Sequence, residues 1–350
     1  MAKVNLLDLE EKSIVGSIKG QKIYLYGTNG TGKSYVCSKL PKPLLLMLEP
    51  GGNAIKCCQT PVTRWSVFKD FVNQLVNDKL IDDPENKGEK IESWKVMQRK
   101  FQTIVIDPVE NLVELAENSV CQEFGVRDLS EITGKQNGYS IYRKDFRTQI
   151  NRLCSVGYTV VFIGHEEKIE VTDEITGEKF DFTQPKGTNN IKSSTRFIRD
   201  ICDFCFYLKP NGIDENGDVI PSTAICKQTK TVFARSRYAV QTYIKPFTAK
   251  GLEEAITKAI ERSAKEEGAE LSDWTESYDG YDKDTWIAMI KPYFAAVGHK
   301  YPEKVKEVVA VELGEGHKIS ECTNDNLVEL ENIYNQLVTF ACDMGIIVED

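Results

Sequence analysis

The sequence predicts an α/β protein: a core with a mainly parallel sheet and flanking helices, followed by a small C-terminal helical module. Three observations carry this. Apolar runs of strand length at 22–26, 44–48, 103–107 and 158–164 alternate with stretches of helical periodicity, the pattern of parallel crossovers. A glycine-rich turn, Gly27 to Ser34, joins the first run to a helical stretch. The charge then changes along the chain: the total is −9, but the last hundred residues hold 9 Lys and Arg against 22 Asp and Glu, leaving a net of +4 over the first 250. We place a core at 1–265, an acidic linker at 266–282 and a helical domain at 283–350.

Each element follows from its residues. Residues 1–20 form a lead-in, 22–26 a buried strand and 35–40 a helix that Pro41 and Pro43 terminate. The strand at 44–48 ends at Glu49-Pro50-Gly51-Gly52. Trp65, Phe68, Phe71, Val72, Leu75 and Val76 recur at helical spacing over 65–80, and 82–89 is a polar loop. The strand at 103–107 ends in Asp107 and leads into a helix at 109–124. A turn-rich loop at 128–140 precedes a basic helix at 141–155 that carries Arg143, Lys144, Arg147 and Arg152. The strand at 158–164 ends at His165-Glu166-Glu167, with both glutamates read as surface residues. A hairpin at 168–182, a mobile loop at 184–195, strands at 202–208 and 222–226, and a helix at 252–265 complete the core. Two or three helices fill 284–345.

Composition narrows the functional classes. With 41% hydrophobic and 28% charged residues, the 350-residue chain reads as a soluble protein of two domains. No apolar run approaches the ~20 residues of a membrane span, and the start lacks signal-peptide character, so a cytoplasmic protein is expected. The ten cysteines are scattered, and Cys202-x-x-Cys205 has no second pair, so reduced thiols rather than a metal centre are expected.

Gly27-Thr28-Asn29-Gly30-Thr31-Gly32-Lys33-Ser34 fits the pattern G-x-x-x-x-G-K-[ST] in the strand, loop, helix context that gives it mechanical meaning. Its glycines let the backbone curl so that several N–H groups and a helix start face one point, where a phosphate chain fits. Lys33 then reaches the β- and γ-phosphates, and the Ser34 hydroxyl holds Mg²⁺. The remaining requirements of phosphoryl transfer are a second metal-holding group, an activated water and a cation on the developing charge. Asp107, ending an apolar strand, is placed to hold Mg²⁺ through water. Glu49 borders the same crevice at the carboxyl ends of the strands, as the carboxylate that orients or deprotonates the attacking water, with Glu110 as the weaker choice. His165 suits a sensor of the γ-phosphate. Lys227, Lys230, Arg235 and Arg237 form a basic cluster from which a finger can act in trans on a neighbouring subunit, or which contacts nucleic acid or solvent. Lys135, Arg143, Lys186, Lys192, Arg196 and Arg199, on or beside the two loops that follow later strands, are the candidate DNA contacts.

The order of motifs, GTNGTGKS, LLLMLEPGG, TIVIDPVENL, YTVVFIGHEEK and KQTKTVFARSRY, resembles the RecA-like P-loop ATPases, most closely those of bacteriophages and prophages that act in recombination and single-strand annealing. The resemblance spans roughly residues 15–260. It implies that Glu49 is the catalytic base, that His165 is the γ-phosphate sensor, that Lys227 and Lys230 reach into a neighbour's site, and that the two loops bind single-stranded DNA in a homo-oligomer. The longer, hairpin-like loop at 168–199 and the lack of an N-terminal polymerisation helix depart from the full recombinases. The expected activity is ATP- and Mg²⁺-dependent hydrolysis coupled to single-stranded DNA in phage recombination or replication. The alternatives are an ATPase that loads or remodels a helicase or another protein, and a nucleotide switch without significant turnover.

Overall fold

A computed structural model describes residues 14–51, 54–86, 90–133, 137–272, 283–323, 326–344 and 346. They form two compact units, the larger holding a central sheet and seven helices, the smaller three helices.

In chain order, the larger unit runs β1 (Lys22–Tyr26), α1 (Lys33–Cys37), β2 (Pro43–Met47), β3 (Cys58–Pro61), α2 (Trp65–Val76), α3 (Ser93–Lys100), β4 (Thr103–Asp107), α4 (Val109–Phe124) and α5 (Gly138–Ser155). It continues with β5 (Thr159–Gly164), β6 (Glu166–Thr172), β7 (Lys179–Pro185), α6 (Ser194–Ile201), β8 (Phe204–Lys209), β9 (Thr223–Ile225), β10 (Arg235–Ser236), β11 (Tyr243–Ile244) and α7 (Ala249–Glu267). Across the main sheet the order is β11-β9-β8-β1-β5-β4-β2-β3, with β10 also paired to β8. The six strands from β8 to β3 are parallel, and β9, β10 and β11 are antiparallel additions at one side.

The central strands are near-continuous apolar runs because both faces of the sheet are covered. Alternation along β1 shows how. Tyr24 and Tyr26 join Ile104, Ile106 and Phe162 in the core under α2, α4 and α5. Ile23 and Leu25 join Val105, Val161, Phe204 and Phe206 in the opposite core, with α1 and α7. Trp65 anchors the first core between Phe68 and Phe146 at centroid distances of 5.2 and 5.6 Å, its indole N–H donating to Asp145 at 2.6 Å.

The structure adds elements that the pattern did not announce. The edge strand β3, CQTP, has no apolar alternation, since it is largely exposed. Residues Leu80–Asp82 and Lys90–Glu92 pair across the expected polar loop, and Ile14–Val15 pairs with Leu271–Ser272. α6 begins inside the expected mobile loop, with the Ser193 hydroxyl accepting from the Thr195 N–H. α5 starts at Gly138, where the Asn137 side chain accepts from the Ser140 N–H. The hairpin is β6 with β7, longer than the alternation indicated.

The smaller unit is α8 (Lys283–Lys300), α9 (Pro302–Leu313) and α10 (Leu327–Asp343), packed through Ile290, Val297, Val305, Val308, Leu330, Ile333 and Leu337. Residues 273–282 of the expected acidic linker lie outside the described residues. Among the described residues, no helix is long and apolar enough to cross a membrane.

Candidate functional site

The carboxyl ends of β1, β5, β4 and β2 are neighbours in the sheet, and each leads directly into a sequence-predicted site residue. β1 runs into the glycine-rich loop, β5 into His165, β4 ends in Asp107 and β2 is followed by Glu49. A crevice at the strand ends therefore collects four segments far apart in sequence.

Within the loop, Gly30 and Gly32 hold φ of +79° and +80°, conformations that side-chain-bearing residues disfavour. At Gly27 a Cβ would lie 2.5 Å from the Leu208 carbonyl oxygen of β8, so the loop is pressed against the neighbouring strand. The Lys33 ammonium is buried beneath it, donating to the Gly27 and Thr28 carbonyls at 2.8 Å each. Burial pulls its pKa below the ordinary lysine value, opposed by the Asp107, Glu110, Glu166 and Glu49 carboxylates around it.

The Ser34 hydroxyl donates directly to Asp107 Oδ2. Asp107 is 4% exposed, and burial raises its pKa against the lowering effect of that hydrogen bond. A buried carboxylate whose charge is disfavoured, touching a hydroxyl beside a phosphate-type loop, has the oxygen chemistry that a hard divalent cation requires. Ser34 and Asp107 are thus the residues that would hold Mg²⁺. Bound there, Mg²⁺ would neutralise charge on the phosphates.

Glu49 is exposed at the mouth of the crevice, and its charge acts on Lys33, Asp107 and His165. The backbone leading to it is tied to β4 and α4: Leu48 N–H donates to the Asp107 carbonyl at 2.7 Å, and the Asn111 amide donates to the Leu48 carbonyl at 3.2 Å. An exposed carboxylate on a fixed backbone is free to meet water, as a general base must.

Glu110, in the first turn of α4, organises the side of His165. Its Oε1 accepts from the His165 N–H at 2.7 Å, and its Oε2 lies 3.7 Å from His165 Nδ1. This contact raises the His165 pKa, with burial opposing it. The His165 carbonyl in turn accepts from the Lys186 N–H at 2.9 Å, which joins the strand end to the far side of the hairpin.

One reading needs correction. Glu166 is no simple surface residue: one of its carboxylate oxygens is buried with no hydrogen-bond partner among the described residues, and its charge acts on Lys33 and Tyr207. Its position beside His165 at a buried strand end was the available signal. Ser222, also missed, donates to the Thr31 carbonyl at 3.0 Å and braces the loop from 191 residues away. Nothing in the local sequence marks that contact.

The basic residues divide. Lys230 pairs with Glu178 of the hairpin at 2.8 Å, and Arg237 lies 3.4 Å from Asp203, whereas Lys227 is exposed and Arg235 is half-buried on β10. Arg199 is 8% exposed, its guanidinium 4.5 Å from the Phe233 ring centroid and 2.8 Å from Asp200, so it is committed to packing and does not present itself to a phosphate backbone. Arg196 lies 3.6 Å from Asp200, and Arg143 lies over the Tyr139 ring at 6.0 Å. Lys186 and Lys192 are exposed, and Lys135 lies outside the described residues.

The comparison that decides the family is a match of residues 19–238 to a family model described as an AAA domain (AAA_24). The chain belongs to this AAA domain family. The matched span contains the phosphate loop, Glu49, Asp107, His165 and the Lys227 to Arg237 cluster, so every catalytic candidate lies inside the AAA domain, and α8–α10 lie outside it. As an AAA domain the larger unit is a P-loop ATPase domain. The chain is also 29% identical, over 346 residues covering 95% of it and 98% of the relative, to the SPbeta prophage-derived uncharacterized protein YorG of Bacillus subtilis (strain 168).

Proposed function

We propose that this protein is a phage-type, Mg²⁺-dependent ATPase that hydrolyses ATP while bound to single-stranded DNA as a homo-oligomer, in recombination or replication. The observation that carries the hydrolytic part is the contact between the Ser34 hydroxyl and the Asp107 carboxylate, beside a buried Lys33. In this reading Lys33 and the loop N–H groups hold the phosphates, Glu49 takes the proton of the attacking water, and His165, held by Glu110, reports whether the γ-phosphate is present. The prophage relative supports the phage setting. Exposed Lys186 and Lys192, on the segment joined to the His165 carbonyl, support DNA contact that depends on the nucleotide.

One observation favours a second reading, remodelling of a protein partner such as a helicase. The hairpin that leaves His165, residues 166–185, carries seven Asp and Glu against two Lys, which suits a basic protein surface better than a phosphate backbone. The discriminating measurement is the ATPase rate with single-stranded DNA, duplex DNA and RNA at two salt concentrations. Stimulation by single strands that falls steeply with salt is expected. Equal rates with and without nucleic acid would sink the DNA reading and favour the protein partner. Turnover retained in Lys33→Ala would sink both.

A further inference from the structure

Four carboxylates act on the Lys33 ammonium: those of Asp107, Glu110, Glu166 and Glu49. Three of them have a task. Asp107 takes the Ser34 hydroxyl, Glu110 holds His165, and exposed Glu49 meets water. Glu166 is left over, and its surroundings are not those of a surface glutamate. The Tyr207 hydroxyl donates to its carboxylate, while Oε2 is buried with no hydrogen-bond partner among the described residues. A buried carboxylate oxygen without a donor is costly, and such groups are few in folded proteins.

The register of the sheet shows where this carboxylate lies. Tyr26, the last residue of β1, is opposite Gly164 of β5 on one side and Tyr207 of β8 on the other. Glu166 is the second residue beyond Gly164, so its hydrogen bond to Tyr207 crosses β1 where Tyr26 hands over to Gly27 and the phosphate loop begins. The crossing is anchored around Tyr26. Its ring lies 5.2 Å from that of Tyr207, and its hydroxyl donates to the Phe233 carbonyl, with the Thr183 carbonyl of β7 3.3 Å away. Glu166 is therefore a negative charge fixed at the root of the loop whose Gly27 and Thr28 carbonyls take Lys33 at 2.8 Å each.

We propose that Glu166 is a positioning residue for nucleotide exchange: its carboxylate, strapped across the base of the loop by Tyr207, competes with the phosphates for Lys33 and keeps the site from holding nucleotide too tightly. This role rests on the reading that Gly27 to Ser34 holds the triphosphate. The β- and γ-phosphates arrive as anions, and one lysine serves both them and the carboxylates around it. At an effective dielectric of about 20, a pair of like charges about 10 Å apart changes a binding constant by roughly tenfold. Removing the Glu166 charge therefore tightens the site by about that factor, whereas losing a merely structural side chain weakens it.

The test is calorimetric titration of the full-length protein, with Mg²⁺, by the slowly hydrolysed γ-thio analogue of ATP, by ADP and by AMP. In Glu166→Gln, whose amide oxygen still accepts from Tyr207, the γ-thio analogue and ADP should bind about tenfold tighter, and AMP, which carries no phosphate to Lys33, within about twofold of wild type. Tyr207→Phe should act in the opposite direction: the carboxylate loses its donor and turns onto Lys33, so the γ-thio analogue binds about threefold or more weaker. Unchanged or weaker binding of the γ-thio analogue in folded Glu166→Gln would overturn the role of Glu166 and leave the phosphate loop standing, and so would an equal gain for AMP. Where Glu166→Gln does not fold, Tyr207→Phe decides, and unchanged affinity there would overturn the role as well. If none of the three ligands bound the wild-type protein, the phosphate-loop reading would fall, and the role of Glu166 with it.

Discussion

Replacing Gly164 by alanine tests how tightly the floor of the site is packed. Gly164 is the last residue of β5, immediately before His165, and its backbone lies against the ring of Tyr24 on the adjacent β1. A Cβ built there would be 2.5 Å from the Tyr24 hydroxyl oxygen and 3.0 Å from Cε1 and Cζ of the same ring. Tyr24 is 0% exposed and locked in the core, so the ring cannot step aside, and overpacking of this kind costs about 1–3 kcal/mol. With the hydroxyl oxygen and two ring carbons inside normal contact, Gly164→Ala should sit at about 2–3 kcal/mol. The Tyr24 hydroxyl has no hydrogen-bond partner among the described residues, so Tyr24→Phe alone should be neutral within about 0.5 kcal/mol or slightly stabilising. In the double variant the 2.5 Å contact disappears and the 3.0 Å contacts remain, so at least about 1 kcal/mol should return. Urea denaturation followed by circular dichroism, with m-values compared across the four proteins, measures the cycle. A Gly164→Ala cost below about 0.5 kcal/mol, or strict additivity in the double variant, would refute the reasoning.

Three further outcomes are expected. Glu49→Gln should leave ATP-analogue affinity unchanged and reduce turnover by about 10² or more, checked by calorimetry beside steady-state hydrolysis; normal turnover would remove Glu49 as the base. The Glu110 contact raises the His165 pKa, so its stabilisation is complete below the ordinary histidine value of about 6.5 and is lost as pH rises through the higher folded value. Histidine NMR should therefore give a His165 midpoint above about 6.5 that falls in Glu110→Gln, and a wild-type midpoint at or below that value would contradict the geometry. If single-stranded DNA binds, Lys186→Ala and Lys192→Ala should each reduce the salt slope of binding by about 1, whereas Arg199→Ala should lower stability and leave the slope unchanged. A reduced slope in a fully stable Arg199→Ala protein would contradict its packed role.

The sequence by itself determined the core of this protein. Strands buried on both faces must be apolar throughout, so β1, β2, β4 and β5 are legible as runs, and a chain that needs left-handed backbone at two loop positions must place glycine there, as at Gly30 and Gly32. Strand-end positions of Glu49, Asp107 and His165 followed because parallel strands bring their carboxyl ends to one edge. Edge strand β3 was not legible because an exposed segment carries no apolar period, and α6 was missed although Phe197, Ile198 and Ile201 recur at helical spacing, because only two turns of helix follow a turn-rich loop. Tertiary structure alone decided the rest: that Ser34 touches Asp107 across the intervening strand β5, that Glu110 turns to His165 and Glu166 buries a carboxylate oxygen, that Ser222 braces the loop, and that Arg199 is spent on Phe233 and Asp200. Apart from that of Arg199 with its neighbour Asp200, each of these contacts joins segments tens to hundreds of residues apart. A side chain's local sequence fixes its chemistry, but its partner, its burial and hence the charge it carries are set by which strands the fold makes neighbours.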